Sequence, residues 1–208
     1  VIVSAPSYPA SVLTDPRPCR HIVYPYNDVE KAINAVCLFA GSGLSRGESV
    51  VLIMADSHCE PIIGRLAKSG CDLEALLESG QLECISADAW LRKFVSNGSL
   101  DEALFKATIN GVIERARASS PDRKVRIFGE MASLLFARDE VALAERLEEL
   151  WNEVIESQSV SLFCTYTLLQ SRYNALPDSL SKLHSHSVEA LPETVEPNLR
   201  PSVSEQPA

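Results

Sequence analysis

The chain has 208 residues, 46% of them apolar and 23% charged, enough to bury one sizeable core and to expect one domain with loose ends. A formal net charge of −9 and a pI near 5.0 argue against a nucleic-acid partner, because phosphate-backbone binding rests on a basic surface. The longest apolar run, Val50 to Ala55, falls far short of the ~20 residues that span a bilayer, and the N-terminus lacks a basic-then-apolar leader pattern. The expectation is a cytoplasmic protein with no membrane partner.

Residues 1–19 carry Pro6, Pro9, Pro16 and Pro18 without periodicity, and are expected as a flexible lead. His21 to Tyr26 reads as a first strand, with Asn27 or Asp28 capping a helix whose Val29, Ala32, Ile33, Val36 and Ala40 share a face. Gly41 and Gly43 are expected to end that helix. Ser49 to Ala55 is apolar on both faces, the pattern of a central parallel strand. Ser57-His58-Cys59-Glu60 has the form of a capping box for the next helix, with Ile62, Ile63 and Leu66 inward and Gly70 as its stop.

A short helix around Leu73, Leu76 and Leu77 leads to a third strand, Gln81 to Ser86. Trp90, Leu91 and Phe94 fall at helical spacing, Asn97-Gly98 breaks the pattern, and Ser99 with Glu102 suggests a second capping box. The following helix buries Phe105, Ile109, Val112, Ile113 and Ala116. Val125 to Phe128 is a fourth strand, entering Gly129-Glu130-Met131 and about two dozen residues of helical pattern. Val160 to Tyr166 is the fifth strand, and a short helix near 178–186 closes a domain of residues 20–190. Residues 191–208, rich in Pro, Ser and Glu, are expected as a disordered tail or linker. Strands alternating with helices give an open parallel α/β sheet of about five strands with helices on both faces, in an order the sequence does not disclose.

Chemistry is sparse. Cys19, Cys37, Cys59, Cys71, Cys84 and Cys164 form no C-x-x-C pair, so they are expected as reduced, mostly buried thiols. Gly41 to Ser49 is glycine-rich, but it follows a helix and enters a strand, the reverse of a phosphate-cradling loop. After the first strand, where such a loop belongs, Tyr24-Pro25-Tyr26-Asn27-Asp28 offers neither glycine nor lysine. Glu130 stands at the carboxyl end of its strand, where open α/β sheets bind ligands, and Gly129 is expected to let the backbone turn there. Glu130 could be a base, a ligand acceptor or a structural carboxylate; its place favours the last two.

Trp151 reads first as core, while Cys164 and Tyr166 share one face of the fifth strand. His58 falls in a helix first turn, where the dipole disfavours a proton. His184 and His186 point to different sides, and no catalytic triad or metal motif stands out. No metal or cofactor is expected.

HIVYPYNDVEKAI, GLSRGESVVLIMADSH, DLEALLESGQL, RIFGEMASLL, AERLEELWNE and SLFCTYTL, in this order, resemble the MEDS family, the methanogen/methylotroph DcmR sensory domain. The resemblance implies a RecA/KaiC-like three-layer fold that has given up ATP turnover. Its pattern falls on His21, Tyr24, Gly43, Leu44, Gly47, Glu48, His58, Gly129, Glu130, Met131, Leu147, Glu148, Trp151, Cys164 and Tyr166. It also implies a non-catalytic sensor of a small organic compound, joined to a histidine kinase or transcription-regulator module in signal transduction, with a homodimer as one form of assembly. Expected ligand contacts are His21, Tyr24, Tyr26, Glu130, Trp151, Cys164 and Tyr166, with a small organic molecule or a nucleotide as ligand. A degenerate ATPase using Glu130 as base and a pure interaction module are the alternatives.

Overall fold

The structure, a computed structural model, describes residues 11–118, 120–167 and 188–190. The expected helix near 178–186, with His184 and His186, and the tail from 191 lie outside these residues.

Six parallel strands make one sheet: β1 (His21–Tyr26), β2 (Ser49–Met54), β3 (Leu82–Ser86), β6 (Val125–Gly129), β7 (Ser161–Thr167) and β8 (Val188–Ala190), in the order β3-β2-β6-β7-β1-β8. The five expected strands are all present, and β8 adds a short edge beside β1. The central strands β2 and β6 are buried at every position, as the apolar run Val50 to Met54 requires of a strand covered on both faces, and β6 buries Arg126 among its apolar residues. Alternation sorts the side chains. Ile22, Tyr24, Leu52, Phe128 and Phe163 meet α1 (Ser11–Thr14), α2 (Val29–Ser45) and α3 (Asp56–Lys68) on one face. Val23, Ile53, Ile127, Leu162 and Cys164 meet α5 (Ala87–Phe94), α6 (Glu102–Arg117), α7 (Met131–Ala137) and α8 (Val141–Gln158) on the other. The short α4 (Leu73–Glu78) precedes β3.

Several boundaries differ from expectation. Helix α2 runs through Gly41 and Gly43 to Ser45, and Gly47 makes the turn at φ +76°. Helix α3 begins at Asp56 after an Ala55 cap with no side-chain bond, so Ser57 does not cap it. Asp101, not Ser99, caps α6, its carboxylate accepting from Leu104 N–H. Ser99 belongs to a hairpin of β4 (Val95–Ser96) and β5 (Ser99–Leu100), whose Asn97-Gly98 turn has both residues at positive φ, the two-residue turn this dipeptide favours. The long helical pattern after Glu130 is two helices, broken by Asp139 at φ 65°. Residues 11–19 are not a loose lead, because Leu13 is buried in the core and Cys19 N–H bonds to the Val160 carbonyl. Of the six free cysteines only Cys164 is fully buried, and Cys59 is exposed.

The segment read as a phosphate-loop look-alike has a packing reason. Arg126 of β6 is 1% exposed and passes directly over Gly43, where a Cβ would stand 2.7 Å from its Nε and 2.8 Å from its Cδ. Its guanidinium donates to Glu48 and to the carbonyls of Leu13, Thr14 and Phe39, so it cannot swing aside cheaply. Gly129, by contrast, has no positive φ, and a Cβ there meets nothing closer than Leu162 Cδ1 at 3.6 Å; its expected turn role is not what the backbone uses it for. Gly43→Ala is expected to cost roughly 2 to 3 kcal/mol and Gly129→Ala less than about 1, compared by urea unfolding midpoints.

Candidate functional site

β2 runs out into α3 on one face of the sheet, and its neighbour β6 runs out into α7 on the other. Adjacent strands whose chains depart to opposite faces open a crevice at their carboxyl ends, the place where open α/β sheets hold ligands. Glu130 sits there, with its N–H tied to the Ile53 carbonyl at 3.0 Å.

Both oxygens of its carboxylate are engaged. Oε2 accepts from Ala55 N–H at 2.8 Å, and Oε1 accepts from His58 Nδ1 at 2.7 Å and from Thr165 Oγ1 at 3.5 Å. Glu130 thus leaves its own helix α7 without a side-chain cap and anchors the entry to α3 instead. Glu130 is 4% exposed, and a buried charge requires such partners. His58 lies partly open, and its hydrogen bond to Glu130 raises the imidazole pKa above the ordinary value against the opposing effect of burial. The helix dipole expected to disfavour a proton on His58 is outweighed by a carboxylate in direct contact.

An outer rim continues from this pair. Asp88 Oδ2 accepts from Asp56 N–H at 3.1 Å, Ser86 Oγ donates to Asp56 Oδ1 at 2.5 Å, and Arg138 donates to Asp88 Oδ1 at 2.9 Å. Asp56, Ser86, Asp88 and Arg138 were not singled out in the sequence. They come from the end of β3, the first turns of α3 and α5 and the C-cap of α7, and no periodicity in the chain announces that the four meet.

The position before α2 has its own logic. Asp28 caps the helix, its Oδ1 accepting from Glu30 N–H at 2.9 Å and Lys31 N–H at 3.4 Å. The donors that a helix N-terminus would present to a phosphate are turned to the chain's own carboxylate.

The seven expected ligand contacts fall into three groups. Glu130 is at the crevice. Tyr24 and Tyr26 are buried on the α2 side of the sheet. His21, Trp151, Cys164 and Tyr166 are buried on the α8 side, where Trp151 stacks edge-on with Phe105 at 5.2 Å. In this last group the Tyr166 hydroxyl donates to Glu148, His21 Nδ1 lies 3.1 Å from Asn152 Oδ1, and His21 Nε2 lies 3.4 Å from Glu148 Oε2. Burial pushes the His21 imidazole down to about 4 and the Cys164 and Tyr166 groups well up. Two cavities, of about 370 Å³ beside Ser11 to Ile22 and about 450 Å³ between α2 and the α3–α4 turn, lie away from Glu130.

The fold is an α/β protein with a parallel sheet between two helical layers and a crevice at the carboxyl edge of β2 and β6. A solved KaiC-like protein from the hyperthermophilic archaeon Pyrococcus horikoshii superposes with a TM-score of 0.52 at 14% identity, over 72% of this chain and 62% of that one. The chain therefore spans less than two thirds of that neighbour, and the likeness is one of fold. The family of the MEthanogen/methylotroph, DcmR Sensory domain matches residues 20–184, and the chain belongs to this MEDS family. A search of curated proteins gave no match. Among the described residues no helix is long and apolar enough to cross a membrane.

Proposed function

We propose that this chain is a non-catalytic sensory domain that perceives a small organic compound at the β2–β6 crevice and passes the signal to a histidine-kinase or transcription-regulator module in the cytoplasm. Membership in a sensory-domain family supports the class. The observation that carries the reading is the engagement of Glu130: both carboxylate oxygens are taken by Ala55 N–H, His58 and Thr165. Buried at 4% exposure and bonded to the first residues of α3, Glu130 is placed to hold the start of that helix. A ligand that takes over the His58 or Arg138 contact would release or tighten α3, which is the differential interaction a two-state signal requires.

The degenerate-ATPase reading meets Asp28, whose carboxylate repels phosphate where the helix donors would otherwise attract it. The interaction-module reading is favoured by the burial of six of the seven expected contacts in the cores on the two faces of the sheet. A thermal-shift screen of nucleotides and small organic compounds, on wild type and on Asp88→Asn and His58→Gln, separates these. A sensor gives a hit whose binding raises the melting temperature by mass action and whose shift is lost in the two variants. Silence across both compound sets overturns the sensor reading and leaves the interaction module.

A further inference from the structure

The core between the sheet and α8 holds a second polar cluster, separate from the crevice and unused by the sensory reading. His21 opens β1, Cys164 lies on the paired strand β7, and Glu148 projects from the middle of α8. One nitrogen, one oxygen and one sulfur donor all lie within 4.8 Å of one another, and the three residues are 0%, 0% and 2% exposed. An imidazole, a carboxylate and a thiol thus meet inside a core cluster that includes Trp151, Leu162 and Leu147.

The surrounding groups orient these donors. Asn152, one helical turn after Glu148, places Oδ1 3.1 Å from His21 Nδ1. With Nδ1–H donated to that amide oxygen, Nε2 carries a lone pair, and it faces Glu148 Oε2 at 3.4 Å. The other carboxylate oxygen accepts from Tyr166 O–H. Two lone-pair atoms facing each other at this distance match the edge of a tetrahedral zinc site, which is about 3.3 Å when each bond is near 2.0 Å. A hydrogen bond from the second imidazole nitrogen to a side-chain oxygen, and one to the ligating carboxylate, are the supports that metal-bound histidine and glutamate ordinarily carry.

We propose that His21 Nε2, Glu148 Oε2 and Cys164 Sγ form a buried site for a divalent transition metal of the zinc class, with Asn152 and Tyr166 holding the donors in place. The mixed nitrogen, oxygen and sulfur set suits zinc or cobalt and not magnesium or calcium, which take oxygen. On binding, the Cys164 thiol proton leaves to solvent and the thiolate takes its place on the metal. The ion enters as the chain folds, because the mature core closes over it.

The test uses the whole chain, refolded with cobalt(II) or zinc(II) and freed of excess metal. One equivalent of metal is expected, with a thiolate-to-cobalt charge-transfer band that is lost in Cys164→Ser and kept in Cys59→Ser, the exposed cysteine. A band that persists in Cys164→Ser, or wild type that retains no metal, overturns the site. X-ray absorption at the zinc edge of wild type needs no variant and covers the case in which Cys164→Ser does not fold. One sulfur with nitrogen and oxygen neighbours supports the site, and none or several sulfurs overturns it.

Discussion

Glu48→Ala is expected to destabilise the chain by roughly 3 to 5 kcal/mol, because removing one member of a buried ion pair leaves the other charge uncompensated. Arg126 is the partner, and it does more than neutralise a carboxylate. Nη1 donates to the carbonyls of Leu13 and Phe39 at 2.9 and 3.0 Å and to Ser42 Oγ at 3.1 Å, and Nη2 donates to the Thr14 carbonyl at 3.0 Å. One guanidinium thereby joins β6, α2 and α1. Replacing both members with apolar residues is often neutral for a buried pair, yet here it removes the donors of three carbonyls. The Glu48→Leu/Arg126→Met double variant is therefore expected to stay about 1 to 3 kcal/mol below wild type. Denaturant midpoints check both values, and hydrogen exchange at residues 11–14 reports whether α1 has come loose.

The second large effect belongs to Glu130. Glu130→Ala removes the acceptor for Ala55 N–H and the partner of His58, and is expected to cost roughly 2 to 4 kcal/mol, a charged hydrogen bond plus a helix entry. Glu130→Gln keeps an acceptor for Ala55 N–H and is milder. Only the charged residue gives pH dependence. The folded-state pKa of His58 is raised above its unfolded value, so the folded state binds the proton more tightly. The stabilisation is fully present below about 6.5, the ordinary histidine value, and fades as pH rises through the raised folded value. In Glu130→Gln that loss across the alkaline side of the window is expected to vanish, and the His58 ring resonances to titrate nearer the ordinary value. Urea unfolding across pH with nuclear magnetic resonance of the imidazole measures both. An unchanged slope in Glu130→Gln would contradict the pairing.

The strand runs were legible in the sequence because burial on both faces is a local demand. The α2 cap was narrowed to Asn27 or Asp28, but the caps read at Ser57 and Ser99 and the stop read at Gly41 and Gly43 were not those the chain uses, and contacts between elements were not legible. Strand order rests on pairings between distant segments, such as β2 with β6, and periodicity carries no record of them. His58 was set aside on a helix-dipole argument sound for its own turn. The group that decides its proton lies 72 residues away. Arg126 sits inside an apolar run, and nothing local says that a guanidinium there would be satisfied by Glu48 and three carbonyls. The Asn97-Gly98 dipeptide did carry a hairpin signal, but the two-residue strands around it are too short to show alternation.

Apart from Trp151 of α8, the expected contacts look like neighbours in the sequence because they lie on or just after strands β1, β6 and β7. Alternation places the tyrosines of β1 and the tyrosine of β7 on opposite faces. A single ligand cannot touch all seven residues without opening the sheet.

Recognition without turnover is measured most directly by phosphate release from magnesium ATP, with wild type and Glu130→Gln compared at equal concentration. The account predicts no release above the protein-free rate for either chain, because Asp28 holds the α2 donors and Glu130 holds α3. Hydrolysis by wild type that disappears in Glu130→Gln would make residue 130 a working base and would contradict it.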